Sequence, residues 1–375
     1  MRIGIDIAPL AGPRTGVGNY CYYLLGRLAA LAPEFQFRGL ATGLVRIDQG
    51  DLPGSMAYRQ IRVPTRLMHR LWSVTHAPKA DVLLGGLEVY HATNYFLPPV
   101  KSARRVLTIH DMAFLARPDL CSPKIARSFA KHVPRFIEQA DAVIAGSEST
   151  KADILRYSKV EPAKVTVTHY AAGEDFARKD RETAAHRLSK AYGIQGPYLL
   201  FVSTLEPRKN VPTLLRAFAR LAKDIPHRLV LVGGLGWNTG PIFEALDKLQ
   251  LGDRVMQIGF VEIHSDLSAF YSAADAFVFP TLYEGFGLPL IEAMTCGCPV
   301  VTSNNSSVPE VTGDAALRVD AEDVEGIAAA IRRVLEDEPL RESLRSRGIE
   351  QAAKFSWDRC ARITLDVYLG LMSSH

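Results

Sequence analysis

No stretch of this 375-residue chain approaches ~18 consecutive apolar residues, so no segment reads as a membrane-spanning helix. The opening Met1-Arg2-Ile3-Gly4-Ile5-Asp6-Ile7 alternates like a first strand and lacks the apolar core and cleavage site of a secretory leader. A cytoplasmic protein is expected. Cysteine is scarce: five residues, odd in number and scattered, do not make a disulfide framework. Cys296-Gly297-Cys298 has neither a second pair nor a histidine at finger spacing, so a zinc site is not expected and the thiols should be reduced and mostly buried. No D-x-D occurs anywhere, which removes a common metal-chelating pair. A complete dinucleotide fingerprint is missing too. Gly16-Val17-Gly18 is followed by Cys21 where a third glycine belongs, and no acid closes the strand near 37–42, which disfavours a nicotinamide site.

What is present fits a globular chain of two domains. At 47% apolar and 22% charged residues, 375 residues exceed one ordinary core. Charge divides unevenly: residues 1–178 hold 23 Lys plus Arg against 15 Asp plus Glu, while the remainder holds 21 against 25. A net of +8 in the first half suits acidic lipid, phosphate or nucleic acid.

The chain is organised around Ala276-Phe277-Val278-Phe279, a strand apolar enough to be buried on both faces, and the stretch that follows it. Pro280 to Gly287 reads as a glycine loop, and Leu288 or Pro289 as a helix start, since proline is tolerated in the first turn. Glu292 then falls in that first turn, beside amides that favour an anion such as phosphate. Glu284 lies eight residues earlier on the loop. Two carboxylates flanking an anion site match a ligand with hydroxyls at both ends and phosphate between, as in a nucleotide sugar. The plain alternative is a helix-dipole charge and a solvated loop charge.

In the first half, a strand over 2–7 leads through Gly16 and Gly18 into a helix over 18–32, and that glycine loop is either a plain turn or an approach to phosphate. Near 64–72, Arg66 and Arg70 mark a basic side while Leu67, Leu71 and Trp72 share another, so the helix can lie on a membrane surface or pack on its own domain. Lys124, Arg127, Lys131 and Arg135 line a second basic helix that Pro134 should kink. His91, His110 and Asp111 end short strands, where ligands of open α/β sheets gather, although a lone histidine is more often structural. The second half restarts with a strand over 197–203 and the loop Thr204-Leu205-Glu206-Pro207-Arg208-Lys209-Asn210, whose adjacent cations ahead of a helix make a natural diphosphate clamp. Alternating strands and helices in both halves predict two doubly wound α/β domains with a cleft between them: residues 1–178, residues 179–354 after a linker near 173–185, and a closing segment 355–375.

The eight-residue spacing of Glu284 and Glu292, the Pro207-Arg208-Lys209-Asn210 turn, the Gly16-Val17-Gly18-Asn19 loop, His110-Asp111 and Ser303-Asn304-Asn305-Ser306-Ser307-Val308-Pro309-Glu310 together resemble glycosyltransferase family 4, the retaining GT-B enzymes. The turns at 204–210 and 313–316 look most like bacterial mannosyl- and rhamnosyltransferases of cell-surface polysaccharide, lipopolysaccharide included. The resemblance implies that Lys209 contacts the donor diphosphate, Glu292 the ribose and Glu284 the sugar hydroxyls near the reacting centre. It further implies that His110 hydrogen-bonds the donor sugar, that Gly16 and Gly18 close over phosphate, that the backbone at Gly259, Phe260 and Val261 faces the base, and that Gly287 and Leu288 form the phosphate-facing helix start. The final helix should cross back onto the first domain. One departure stands out: many relatives carry an arginine where this chain has Thr204, and Arg208 is the candidate to supply that charge. The implied activity is retaining transfer of a hexose, foremost mannose from GDP-mannose, to a saccharide or lipid-linked acceptor. No metal and no cofactor beyond the donor is expected, no nucleic acid, and peripheral contact with the inner membrane face through the basic first domain. GDP-rhamnose or a UDP-sugar as donor, and a GT-B epimerase or phosphorylase, stay as alternatives.

Overall fold

The computed structural model describes residues 1–54, 56–262 and 264–373. The chain divides into two compact units: Met1–Ala116, Lys124–Tyr170 and Ser356–His375 form the first, and Arg117–Pro123 with Ala171–Phe355 form the second.

Each unit is built on one parallel sheet. The first contains β1 (Arg2–Asp6), β2 (Gln36–Thr42), β3 (Ala57–Ile61), β4 (Val89–Ala92), β5 (Arg104–Ile109), β6 (Ala142–Ala145) and β7 (Val165–Val167), in the order β3-β2-β1-β4-β5-β6-β7. The second contains β8 (Tyr198–Val202), β9 (Arg228–Val232), β10 (Val255–Gly259), β11 (Ala276–Phe279), β12 (Val300–Ser303) and β13 (Ala316–Val319), in the order β10-β9-β8-β11-β12-β13. Central strands β4, β6, β8, β11 and β12 are buried along their whole length, as short continuous apolar runs require when helices cover both faces. Both orders reverse once, between β1 and β4 and between β8 and β11. Loops leaving the carboxyl ends of strands at such a reversal part to opposite faces and leave a crevice, the usual ligand position in open α/β sheets.

The last helix, Trp357–Ser373, packs on the helix Gly16–Leu31 of the first unit. Trp357 stacks on Tyr23 at 5.3 Å and on Tyr170 at 6.0 Å, and the Tyr368 hydroxyl lies 2.6 Å from His91 Nδ1. Among the described residues no disulfide forms, and no helix is long and apolar enough to cross a membrane.

Several local expectations are corrected. The chain passes between units at Tyr170 and Ala171, and the polar stretch read as a linker runs into the helix Arg181–Tyr192, capped by Asp180 through Thr183 N and ended by Gly193 at φ 69°. A polar helix with two buried residues shows little apolar periodicity, which is why composition alone called it linker. The first helix begins at Gly16, so Gly16 and Gly18 occupy its first turn; a Cβ on Gly18 would stand 3.0 Å from the Pro9 carbonyl oxygen. The helix Leu288–Thr295 starts as expected, but Glu292 sits one turn further in than the first turn. The helix Pro123–Gln139 continues through Pro134. On the helix Thr65–Thr75 the packing side is Met68 and Trp72, while Leu67 and Leu71 face solvent.

Candidate active site

The reversal between β8 and β11 brings together residues far apart in sequence. After β8 the chain makes a tight turn over Pro207–Lys209 and then Asn210 adopts the left-handed region at φ 58°. Asparagine tolerates that conformation better than most residues. Asn210 Nδ2 donates to the Pro280 carbonyl at 3.0 Å and to the Ala321 carbonyl at 2.6 Å, tying the turn to the end of β11. Leu282 N–H donates to the Arg208 carbonyl at 2.8 Å, with the Thr281 hydroxyl oxygen 3.1 Å from the same carbonyl. Two loops separated by about seventy residues thus become one hydrogen-bonded body.

On that body Lys209 Nζ donates to Glu284 Oε1 at 2.5 Å, and the Thr281 hydroxyl donates to the same oxygen at 2.9 Å. Arg208 Nη1 reaches Glu284 Oε2 at 3.4 Å, while its Nε donates to Glu206 Oε1 at 3.1 Å. Lys209 and Glu284 are only 6% and 5% exposed, too buried for an unpaired charge. Burial alone would push the Glu284 carboxyl up, but Lys209 and Arg208 outweigh it and hold it below the usual carboxylate range. Burial and the neighbouring Arg208 draw the Lys209 ammonium down from its ordinary value. From the other side, Glu284 N–H donates to the Ser306 hydroxyl at 2.8 Å, and the Ser307 hydroxyl lies between the carbonyls of Glu284 and Phe286, at 3.1 and 3.0 Å, with its one proton available to either. The polar loop after β12 is therefore a brace for the Glu284 loop.

Gly287, at φ 95°, precedes the helix Leu288–Thr295, whose start no side chain caps. Such a terminus leaves amide donors for an anion. Glu292 is buried and receives a hydrogen bond from the Tyr271 hydroxyl at 3.1 Å; burial lifts its carboxyl to about 7. Gly259 ends the edge strand β10 and Phe260 and Val261 follow it: the Gly259 carbonyl accepts from Gly233 N–H at 2.7 Å, Phe260 is half exposed and Val261 is buried.

The remaining candidates belong to the first unit. His110 follows β5, is buried, and has both ring nitrogens engaged, Nδ1 with the Tyr170 hydroxyl at 2.8 Å and Nε2 with the Thr93 carbonyl at 2.9 Å. Burial lowers its pKa to about 4, so the ring is neutral. The Thr93 carbonyl can only accept, which assigns the proton to Nε2 and makes the Tyr170 hydroxyl the donor to Nδ1. Asp111 accepts from Ala113 N–H at 3.0 Å. His91 is wholly buried between Tyr368 and Thr108, a structural histidine.

Sequence reasoning missed three groups here. Thr281 and Tyr271 orient the two carboxylates, and neither belongs to a recognisable spacing. Asp6 ends β1 at the first unit's own strand-order reversal, with its carboxyl raised by burial to about 6; its place at a strand's carboxyl end was the available signal. Among the described residues no group of three or more His, Cys, Asp or Glu could hold a metal ion.

Two families match the chain, Glycosyltransferase Family 4 over residues 14–171 and Glycosyl transferases group 1 over residues 186–351. The O-antigen chain mannosyltransferase B of Escherichia coli is 32% identical, covering 98% of this chain and 99% of the relative. The serotype-specific mannosyltransferase WbdA of the same species is 31% identical over 72% of this chain, but only 34% of that longer protein. In fold the chain is similar to the sucrose-phosphate synthase of Thermosynechococcus elongatus, with a TM-score of 0.79, 22% identity and full coverage of both chains. It is also similar to WaaG, a glycosyltransferase involved in lipopolysaccharide biosynthesis, with a TM-score of 0.76, 19% identity and coverage of 99% and 100%.

Proposed function

This chain belongs to glycosyltransferase family 4, a GT-B glycosyltransferase, and from that premise we propose that it transfers mannose from GDP-mannose, with retention, to a saccharide of a surface polysaccharide. The observation that carries the reading is the meeting of Arg208, Lys209 and Glu284 on the loops that follow β8 and β11. Mannose is favoured by the full-length similarity to an O-antigen mannosyltransferase.

Cleaving a glycosyl phosphate leaves a nucleoside diphosphate with added negative charge beside a sugar of oxocarbenium character. The site has to stabilise both at once. In this reading Lys209, Arg208 and the amides at Leu288 take the diphosphate, and Glu284 takes sugar hydroxyls beside the anomeric carbon. Glu292 takes the ribose, and the backbone at Gly259, Phe260 and Val261 takes the base. The cations are paired in advance with Glu284 and Glu206, so they are held in place without the cost of isolated buried charge. As the donor's C–O bond breaks, both bonding electrons pass to the phosphate oxygen, the acceptor hydroxyl oxygen bonds to the anomeric carbon on the face the phosphate leaves, and the departing phosphate oxygen takes that hydroxyl's proton. His110 holds the donor sugar in the family pattern, and Gly16 and Gly18 let the first helix approach phosphate closely. Because the ring nitrogens of His110 are both occupied, a sugar hydroxyl would have to replace one of the two bonds it makes.

Turnover of GDP-mannose tests the reading. Lys209→Ala, Glu284→Gln and Glu292→Gln should each reduce kcat/KM by about a hundredfold, since one lost transition-state contact typically costs ~3 kcal/mol. Wild-type rates in all three would end the proposal, and turnover of UDP-mannose in preference to GDP-mannose would replace the donor.

A further inference from the structure

The helix Leu288–Thr295, whose start lies at the proposed donor site, runs back toward the opposite end of the second sheet. Its eight residues span about 12 Å. Past its end Gly297 takes the left-handed conformation at φ 68°, three residues before β12, while Asp275 directly precedes β11. A cavity of about 400 Å³ opens there, at the amino ends of the strands, and none of the residues assigned to the donor lines it. Four of its seven described lining residues are cations: Arg178, Lys179, Arg181 and Arg345.

These cations are held in place. Arg345, its side chain 14% exposed, donates from Nε to the Gly297 carbonyl at 2.9 Å and pairs with Glu342. A Cβ on Gly297 would stand 3.2 Å from Arg178 Cδ and 3.4 Å from Arg345 Cγ, so glycine here serves both its own φ and the approach of two arginine stems. Arg181 Nη2 donates to Asp275 Oδ1 at 2.5 Å. The segment that carries Arg178 and Lys179 is fastened to the helix His264–Ala273: Ala177 N–H donates to the Ser268 hydroxyl at 3.2 Å, and Lys179 N–H to the Ser272 hydroxyl at 3.0 Å. Asp180 is the one acid in the described lining, and its Oδ1 already accepts from the Thr183 N–H and hydroxyl at 2.9 and 2.7 Å. Asp275 and Glu342 compensate Arg181 and Arg345, but Arg178 and Lys179 have no ion-pair partner among the described residues.

We propose that this cavity is a second anion site, which takes the phosphate of a soluble phosphorylated small molecule of sugar size. Two uncompensated cations on adjacent residues converge there with two immobilised guanidinium groups, and their excess positive charge faces a recess. Donors arriving from several directions suit the tetrahedral oxygens of a phosphate monoester, whereas a planar carboxylate is satisfied by one guanidinium fork. At about 400 Å³ the recess falls among small-molecule pockets, roughly 300–1,000 Å³, and has room for more than inorganic phosphate. The rest of the polar lining, the Ser272 hydroxyl and the Asp180 carboxylate, can meet the hydroxyls of a sugar. Because the two sites lie at opposite ends of one helix, both ligands can be held at once. The inference goes beyond the transferase reading and does not rest on it.

Titration calorimetry of the full chain with glucose 1-phosphate tests it. Binding at one site is expected, weakened about tenfold or more in Arg178→Ala/Lys179→Ala through the loss of charge-assisted hydrogen bonds. Lys223→Ala/Lys248→Ala removes the same charge from the surface of the same unit and should leave the affinity unchanged. Inorganic phosphate should bind more weakly than the ester. Saturating GDP should not displace the ester, and the cavity variant should keep wild-type affinity for GDP; a chain that binds the ester but not GDP would keep this site and lose the transferase reading. No binding at millimolar ester overturns the proposal, as does undiminished binding in the cavity variant or an equal loss in the surface variant. Equal affinity for inorganic phosphate would reduce the cavity to a site for the bare ion, and displacement by GDP would return the ester to the donor site; either result also overturns it.

Discussion

Glu292 has an unusual carboxyl. Its folded value near 7 exceeds the ordinary 4.5, so the protonated form is favoured in the folded state. The associated stability is fully present below about pH 4.5 and is lost as pH rises toward 7, where the unfolded chain has ionised and the folded one must follow. Glu292→Gln should therefore raise stability above neutrality by about 2–3 kcal/mol and flatten the melting temperature against pH between 5 and 8. In the proposed role the ionised form accepts from ribose hydroxyls, so GDP affinity of the wild type should rise over the same interval. Tyr271→Phe removes the hydrogen bond that favours ionisation and should shift that rise to higher pH, as read by titration calorimetry. The Lys209–Glu284 pair supports a second contrast. Removing Lys209 leaves Glu284 with Arg208, but removing Glu284 leaves Lys209 buried without its carboxylate and beside Arg208, which keeps Glu206. Glu284→Ala should thus cost about 3–5 kcal/mol, and clearly more than Lys209→Ala, in denaturant unfolding.

Among the elements, the closing helix is held by aromatic contact more than by charge. Trp357 is 4% exposed between Tyr23 and Tyr170, whereas the Arg27–Asp358 ion pair nearby is largely solvated. Trp357→Ala should destabilise the first unit by about 3–5 kcal/mol and loosen amide protection across residues 357–373 in hydrogen exchange. Asp358→Ala should shift stability by less than about 1 kcal/mol. The helix Arg181–Tyr192 has a weaker hold and depends on its cap, so Asp180→Ala should cost about 1 kcal/mol.

For the whole molecule, a ligand bound by the second unit should stabilise that unit. At a hundred times its Kd, GDP adds about 2.7 kcal/mol to the state that binds it. Calorimetry with GDP, UDP and ADP should show a GDP-specific upward shift carried by the second unit, absent in Lys209→Ala. Equal shifts with all three nucleotides would remove the case for a guanine donor. The same separation bears on what was legible beforehand. Apolar runs such as Ala276–Phe279 and Tyr198–Val202 announce buried parallel strands directly, and the glycine and proline punctuation around Gly287 and Pro289 announces a helix start. The polar helix Arg181–Tyr192 buries so few side chains that no period emerges, whereas Gly240–Leu249 does carry one, Ile242, Leu246 and Leu249 recurring at helical spacing over only ten residues that begin with glycine and proline.

By itself the sequence determined the alternation of strand and helix, the division into two parallel-sheet units and the identities of Lys209, Glu284 and Glu292, since local hydrophobic period and turn chemistry act over a few residues. Only the tertiary structure decided that Lys209 and Glu284 share a hydrogen bond, that Tyr271 holds Glu292, that both nitrogens of His110 are occupied, and that Leu67 and Leu71 face outward. Those outcomes depend on which strands lie side by side and which side of a helix finds a neighbour. Strand order is fixed by packing across the entire sheet, and no stretch of a dozen residues contains it.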